Sequence, residues 1–229
     1  MNCEHLEQQL AELPLYGYFF LKTGELTFTD RVRWICQHEC QMYGKTWACP
    51  PAVGTVESCR SKCLAYPNVL LICTVTEVDD ISDISATLAT REEHEAVTRQ
   101  VEAMVRAEGQ EIYTLSTEAC AICDSCAYPT GPCRHPERMH PCIESHGILL
   151  TQTAQECGVP FQYGDNVVTW FSMIFTAPRR LSQKCDIWGY PKTSFAVTPY
   201  VKINMTLPAL KMPQHLARIV PAPPGCSPQ

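Results

Sequence analysis

The chain has 229 residues, of which 45% are hydrophobic and 18% are charged. Chains of this size and apolar content bury a core in one large or two small domains, which excludes disorder as the overall state. The net charge of −6 lacks the basic surplus with which proteins neutralise phosphates, so we expect no nucleic-acid partner.

Apolar runs in the sequence are short. The longest, residues 69–75, falls well below the roughly 18–20 residues that cross a bilayer, so we expect no membrane span. The first ten residues are acidic and lack the apolar stretch of a secretory signal, which predicts a cytoplasmic protein. In a reducing cytosol, the 15 cysteines are expected to be metal ligands or catalytic thiols rather than disulfides.

The first third of the chain predicts a hairpin, a helix and a strand. Two short β-prone runs, residues 16–21 and 25–29, flank a Thr-Gly pair and predict the hairpin. Thr55 is a candidate N-cap for a helix that ends before Pro67. The β-branched run at residues 69–78 predicts a buried strand.

The middle of the chain predicts a long helix between strands. Apolar residues line one side of residues 84–108, and Gly109 is a stop signal. Further on, we expect a strand over 111–115, a helix over 143–157 and an apolar strand over 167–175. This order predicts an α+β fold in which a mixed or antiparallel sheet carries helices on one face, beside two cysteine-rich loops.

We expect residues 1–177 to form a cysteine-rich metal-binding domain and residues 178–229 to form a C-terminal extension. Residues 208–229 contain six prolines and no acidic residue, so this end of the chain is a proline-rich tail. Such a tail is either an extended arm lying on the body or on a partner, or a loosely tethered end.

The most specific cysteine motif is Cys120-x2-Cys123-x2-Cys126. Two consecutive spacings of this kind on a turning loop place three thiolates at the corners of a 4Fe–4S cluster, as in bacterial ferredoxins. Zinc would use one such pair and then need a distant second pair. The preferred fourth ligand is Cys133, and the two alternatives for Cys142 are a ligand or a thiol packed at the start of a helix. The cysteines at 120, 123, 126 and 133 are called the Cys120 group below.

A second set of cysteines lies earlier in the chain. Cys36, Cys40 and Cys49, called the Cys36 group below, are separated by three and eight residues, and two prolines follow the last of them. A cysteine before proline is typical of a metal ligand at a turn. Cys59 and Cys63 are four residues apart on a predicted helix, where they either complete a cluster or pack as small apolar side chains.

Together these motifs resemble one uncharacterised family, the predicted metal-binding proteins of domain of unknown function 2284. The resemblance covers about residues 15–176 and implies a cysteine-rich, metal-binding protein of anaerobe-type metabolism, with no assigned reaction. The implied ligands are the cysteines of both groups. The matching motifs are Trp34-x-Cys36-x3-Cys40-x2-Tyr43-Gly44-Lys45, Cys49-Pro50-Pro51, Cys120-x2-Cys123-x2-Cys126, Cys133-Arg134-His135-Pro136 and Pro141-x2-Glu144-x2-Gly147-Ile148.

The chain departs from the family pattern in three places. Cys142 stands where the family tends to have serine, Cys59 and Cys63 look like additions, and the stretch after about residue 177 extends past the usual end. These departures leave open a second complete cluster and an additional interface in the extension.

The leading functional prediction is an iron–sulfur protein with one or two 4Fe–4S clusters, acting as an electron-transfer subunit or module for a partner redox enzyme. The first alternative is an enzyme, or a sulfur- or metal-transfer protein, whose cluster keeps an open iron site near Tyr43 or Lys45. The second alternative is a zinc-stabilised interaction module without a redox role.

Overall fold

One sheet forms the centre of the fold. A computed structural model describes residues 3–159 and 166–179, together with the backbone of residues 202–203. The strands are β1 (Gly17–Lys22), β2 (Asn68–Glu77), β3 (Gln110–Ser116), β4 (Val167–Pro178) and β5 (Lys202–Ile203). They follow the order β3-β4-β2-β1-β5, and every neighbouring pair is antiparallel. The helices are α1 (Cys3–Leu10), α2 (Asp30–His38), α3 (Val56–Leu64), α4 (Ile84–Ala89), α5 (Arg91–Ala107) and α6 (Leu150–Glu156).

The α+β class with an antiparallel sheet is therefore confirmed. The predicted strands over 69–78, 111–115 and 167–175 correspond to β2, β3 and β4. The central strands β2 and β4 are almost continuously apolar because both faces of the sheet are covered at this point.

The longest helix, α5, lies with α1 on one face of the sheet. Val97, Val101 and Val105 form the buried stripe of α5, and Leu70 and Ile72 of β2 belong to the same core cluster. The spacing of the three valines, four residues apart, places them on one side of the helix as predicted. Burial of this stripe fixes the opposite, polar side of α5 relative to the rest of the molecule.

The predicted helix over residues 84–108 is divided into α4 and α5 at Thr90. The Thr90 hydroxyl donates to the Thr87 carbonyl oxygen at 2.8 Å and accepts a hydrogen bond of 2.8 Å from the Trp170 indole nitrogen. Gly109, with φ +73°, follows the end of α5 as predicted. The division depends on Trp170, a tertiary contact that local periodicity does not contain.

The opposite face of the sheet is covered by α3, α6 and segments beside the cysteine groups. Phe171, Met173 and Phe175 of β4 belong to this second core, together with Cys63 of α3 and Ile143. Sequence analysis expected helices on one face of the sheet. That expectation accounts for α1 and α5 but not for the second layer of α3 and α6 on the opposite face. The layer matters for function because it anchors the chain next to both cysteine groups.

The predicted hairpin is wrong. Residues 16–21 correspond to β1, but the run at 25–29 forms no paired strand with it, and β1 pairs with β2 and β5 instead. A 3-10 turn at Thr23–Glu25 directs the chain away, and Phe28 makes an isolated antiparallel bridge with Ile148. Within this run, the bridge of Phe28 with Ile148 takes the place of the expected hairpin pairing.

The single helix predicted over residues 143–157 is also wrong. The structure has a 3-10 turn at Glu144–His146, a break at Gly147 and then α6. Gly147 has φ +75°, and a Cβ at this position would lie 2.8 Å from Val56 Cγ1 and 3.1 Å from the Thr29 carbonyl oxygen. Close packing of two distant segments on this glycine ends the turn, although the local sequence is compatible with a helix.

The C-terminal prediction falls largely outside the described residues, as does the whole of the 208–229 tail. The pair Lys202–Ile203 forms β5 and pairs with β1 opposite Tyr18 and Gly17. The division of the chain at residue 177 remains a prediction. Among the described helices, none is both long enough and apolar enough to cross a bilayer.

Candidate metal sites

The four cysteines of the Cys120 group line one cavity. All four side chains are partly exposed, and the cavity encloses about 350 Å³, including space open to solvent. The other residues that line it are Trp47, Ile122, Ala127, Arg134, His135 and Met139. The sequence motif therefore corresponds to thiols that converge on a common space, with apolar side chains beside them.

Hydrogen bonds within the loop hold it around the cavity. Arg134 Nη1 donates to the Ser125 carbonyl oxygen at 2.7 Å, which connects the residue after Cys133 with the residue before Cys126. The Trp47 indole nitrogen donates to the Gly131 carbonyl oxygen at 3.0 Å, and its ring meets Tyr128 edge-to-face. Trp47 comes from the segment that carries the Cys36 group, so this contact joins the two cysteine segments.

The polar side of α5 holds both ends of the same loop. Arg91 donates to the Ala119 carbonyl oxygen, directly before Cys120. Near the other end, His140 lies 2.9 Å from Glu95 Oε2 and 3.3 Å from Glu102 Oε1. His140 therefore pairs with two carboxylates of α5, those of Glu95 and Glu102.

Electrostatics explain why this buried ion network is stable. Burial alone would lower the pKa of His140, but the hydrogen bonds and charges of Glu102 and Glu95 outweigh it and raise the pKa to about 9. Burial opposes ionisation of Glu95 as well, yet His140 and Arg91 lower its pKa to about 2. The network is thus charged near neutral pH, and it positions the loop that carries the Cys120 group.

The three cysteines of the Cys36 group come from two segments that contact each other, since the Gly44 amide donates to the Pro50 carbonyl oxygen at 2.8 Å. Cys36 lies on α2, Cys40 follows the end of that helix and is exposed, and Cys49 is buried at the turn before two prolines. Burial, then the negative charges of Cys40 and Glu144, raise the pKa of Cys36 to about 11. Burial and the charge of Cys40 likewise raise the pKa of Cys49.

Cys142 lies with the Cys36 group. Its amide donates to the Ala48 carbonyl oxygen at 3.0 Å, directly beside Cys49. Its thiol donates to Glu144 Oε2 at 2.8 Å. Burial, reinforced by the charges of Glu144 and Cys49, raises the pKa of the Cys142 thiol well above its usual range. Sequence analysis treated Cys142 as a possible ligand only beside the Cys120 group, so its position next to Cys49 was not predicted.

Cys59 and Cys63 have other surroundings. The Cys59 thiol donates to the Val53 carbonyl oxygen at 3.3 Å and lies 3.8 Å from Arg33 Nη2. Cys63 is completely buried in the core with Phe175, and burial raises its pKa to about 12. Within residues 3–159 and 166–179, no group of three or more His, Cys, Asp or Glu side chains has the arrangement that holds a single metal ion.

Each cysteine group lies beside a buried arginine that sequence reasoning did not identify. The Nε atoms of Arg33 and Arg91 are buried and have no hydrogen-bond partner among the residues that the structure describes. Burial raises the pKa values of Cys36, Cys49 and Cys120. The charge of Arg33 offsets part of this increase at Cys36, and that of Arg91 does so at Cys49 and Cys120. An N–H donor buried without an acceptor is costly, so both positions are suited to an anionic, sulfur-rich ligand.

A sequence signal existed for one of these two arginines. Arg33 stands three residues before Cys36, and residues with this spacing lie on the same side of a helix. Arg91 precedes Cys120 by a long stretch that includes α5 and β3, so no local spacing connects the two residues.

Comparison with known proteins gives one match. A family model with the description "Predicted metal-binding protein (DUF2284)" matches residues 20–176, which is more than half of the chain. Nothing matches among curated proteins or among solved structures.

Proposed function

The chain belongs to the predicted metal-binding protein family, and we propose that it carries a 4Fe–4S cluster on the Cys120 group and transfers electrons for a partner redox enzyme. The observation that carries this proposal is the convergence of the four cysteines of that group on one cavity. Four thiolates are the usual ligand set of such a cluster, and the x2 spacings are those of ferredoxin loops.

The residues around the cavity fit an iron–sulfur cluster. The donor set is entirely thiol, and the buried Nε of Arg91 is an N–H donor that has no acceptor within the described part of the chain. Burial raises the pKa of Cys120, and the charge of Arg91 opposes this increase and so favours the thiolate, which is the form that binds metal. A bound cluster would supply one-electron redox chemistry.

The protein's own side chains would control that chemistry. Trp47, Ile122 and Met139 place apolar surface beside the thiols and restrict water. Arg91 and Arg134 place positive charge near the loop, and positive charge stabilises the reduced, more negative state. The thiols remain partly exposed, so a partner's redox centre can approach them.

The decisive experiment compares metal content after anaerobic purification. Iron, zinc and acid-labile sulfide per chain are measured for the wild type and for Cys120→Ala, with absorbance and EPR of the reduced samples. We expect Cys120→Ala to lose about four irons with matching sulfide, because one cluster loses a ligand. Cys157→Ala is the matched control, since this cysteine is buried at the end of α6 and belongs to neither group.

A second candidate function is an enzyme, or a sulfur- or metal-transfer protein, with an open iron site on the Cys36 group. It is favoured by a second cavity of about 690 Å³, including space open to solvent, whose lining contains Gln37 and Pro51, close in sequence to Cys36 and Cys49. The cavity is also lined by Arg33 and Tyr43. Burial raises the pKa of Cys36, and the charge of Arg33 offsets part of that increase. A spectral change of the reduced protein on addition of a small thiol would support this candidate, and an unchanged spectrum with every such ligand would count against it.

A zinc-stabilised module remains the third candidate, and the same measurement decides on it. Zinc sites hold no sulfide and give no visible colour, because Zn²⁺ has a filled d shell. Stoichiometric zinc without sulfide would therefore replace the redox proposal with a structural one.

A further inference from the structure

We infer that Cys142 is the fourth ligand of a second iron–sulfur site, whose other three ligands are the thiols of the Cys36 group. This inference rests on the proposed function, because it takes the chain to be an iron–sulfur protein. Sequence analysis offered Cys59 and Cys63 as candidates to complete this site, and it considered Cys142 as a ligand only beside the Cys120 group.

The backbone fixes Cys142 next to Cys49. The Cys142 amide donates to the carbonyl oxygen of Ala48, and Ala48 is completely buried. On the other side, Ser116 at the end of β3 forms a parallel bridge with Cys142. Cys142 is thus held between the Cys-Pro-Pro turn and the edge of the sheet, so its position does not depend on the mobility of a loop.

The side chains connect Cys142 with the helical member of the group. Its thiol donates to Glu144 Oε2 at 2.8 Å, and Glu144 begins the 3-10 turn Glu144–His146, which α2 contacts. Arg33 of α2 donates to the Ser145 carbonyl oxygen, which docks the helix on the 3-10 turn that follows Cys142. The four thiols therefore come from three segments that contact one another directly.

The two competing cysteines are directed elsewhere. The Cys59 thiol donates to the Val53 carbonyl oxygen, and Cys63 packs in the second core with Phe175. Both occupy α3, where the Cys59 thiol lies 3.8 Å from Arg33 Nη2. A ligand role for Cys63 would require its side chain to leave the core.

A site with four thiols has consequences for chemistry. Every iron of a 4Fe–4S cluster would then have a cysteine ligand, and such clusters serve electron transfer rather than substrate binding at an open iron. The chain would then hold two clusters, one on each cysteine group.

The test measures iron and acid-labile sulfide per chain, with EPR of oxidised and reduced samples, on the full chain purified anaerobically. The variants are Cys142→Ala, Cys59→Ala and Cys63→Ala, and Cys36→Ala is the positive control. We expect about eight irons in the wild type and in the variants at 59 and 63, since two clusters are intact. In Cys36→Ala and Cys142→Ala we expect a loss of one to four irons, with the EPR signal of a three-iron cluster where a single iron is lost.

Cys142→Ser is the second variant, because a hydroxyl keeps a donor for Glu144 and preserves the fold, which circular dichroism checks. The inference is overturned if the serine variant keeps the wild-type iron content and spectrum, or if a change at 59 or 63 removes iron while a change at 142 does not. It is also overturned if the wild type holds only about four irons and Cys120→Ala removes all of them. A wild type without iron and sulfide would instead refute the proposed function itself.

Discussion

The guanidinium of Arg91 donates a hydrogen bond to the carbonyl oxygen of Ala119, the residue directly before the first ligand of the Cys120 group. The same guanidinium pairs with Glu95 at 3.2 Å, four residues further along α5. Its Nε has no hydrogen-bond acceptor among the described residues. Burial raises the pKa values of Cys49 and Cys120, and the charge of Arg91 offsets part of that increase at both thiols. A single buried cation therefore connects the two cysteine groups electrostatically.

Replacing Arg91 with glutamine should lower the reduction potentials of the bound clusters. The cation stabilises the more negative reduced state by on the order of 1–2 kcal/mol, as expected for a unit charge roughly 10 Å away at an effective dielectric constant of about 20. Potentiometric titration followed by EPR measures the shift. Arg106→Gln is the matched control, because Arg106 is exposed in the last turn of the same helix. Equal potentials in the wild type and both variants would show that Arg91 has no electrostatic role.

Trp47 should protect the Cys120 group from water. Its ring lines the cavity, and its indole nitrogen donates to the Gly131 carbonyl oxygen. Trp47→Phe removes this bond and part of the apolar cover, so we expect faster bleaching of the visible absorbance in air. Trp34→Phe serves as the control, because Trp34 is 52% exposed on α2. Identical bleaching rates for the two variants would contradict the protective role.

The turn that carries Cys142 and Glu144 should be sensitive to the residue at Gly147. Gly147→Ala places a Cβ 2.8 Å from Val56 Cγ1 in addition to the cost of a positive φ, so we expect a loss of about 2–4 kcal/mol in the free energy of unfolding. Gly158→Ala has φ +70° and open space around its Cβ among the described atoms, and should cost only about 1 kcal/mol. Denaturant unfolding compares the two. Equal losses would show that the close contact with Val56 is unimportant.

Buried His94 should make stability depend on pH. Its ring lies 2.8 Å from the Thr74 hydroxyl and 2.8 Å from the Ser172 hydroxyl, and burial lowers its pKa to about 4 from 6.5. Since the unfolded state binds the proton more tightly, stability is complete above pH 6.5 and falls as the pH decreases toward 4.

The expected loss from this group is roughly 2 kcal/mol between pH 7 and pH 5. Denaturant unfolding of the metal-free chain at both pH values measures it, and His94→Gln provides the reference because glutamine does not titrate. The explanation fails if the wild type and the variant lose the same free energy over this interval.

Local sequence was sufficient for features whose determinants are close together in the chain. The apolar strands β2 and β4, the valine stripe of α5 and the x2 spacings of the Cys120 loop are of this kind. Helix capping by Thr55 is another, since its hydroxyl accepts from the Ser58 amide at 3.1 Å.

Features that depend on distant contacts were not predictable in this way. The break at Gly147 results from packing against Val56, and the isolated bridge of Phe28 with Ile148 replaces the expected hairpin. The position of Cys142 depends on the Ala48 carbonyl oxygen, almost a hundred positions earlier. None of these pairings leaves a pattern in the residues immediately around it.

The most direct test of the central claim is the iron, zinc and acid-labile sulfide content of anaerobically purified wild type and Cys120→Ala. The account predicts equal iron and sulfide in the wild type, and a loss of about four of each in the variant. Stoichiometric zinc without sulfide in the wild type, or an unchanged iron and sulfide content in Cys120→Ala, would contradict it.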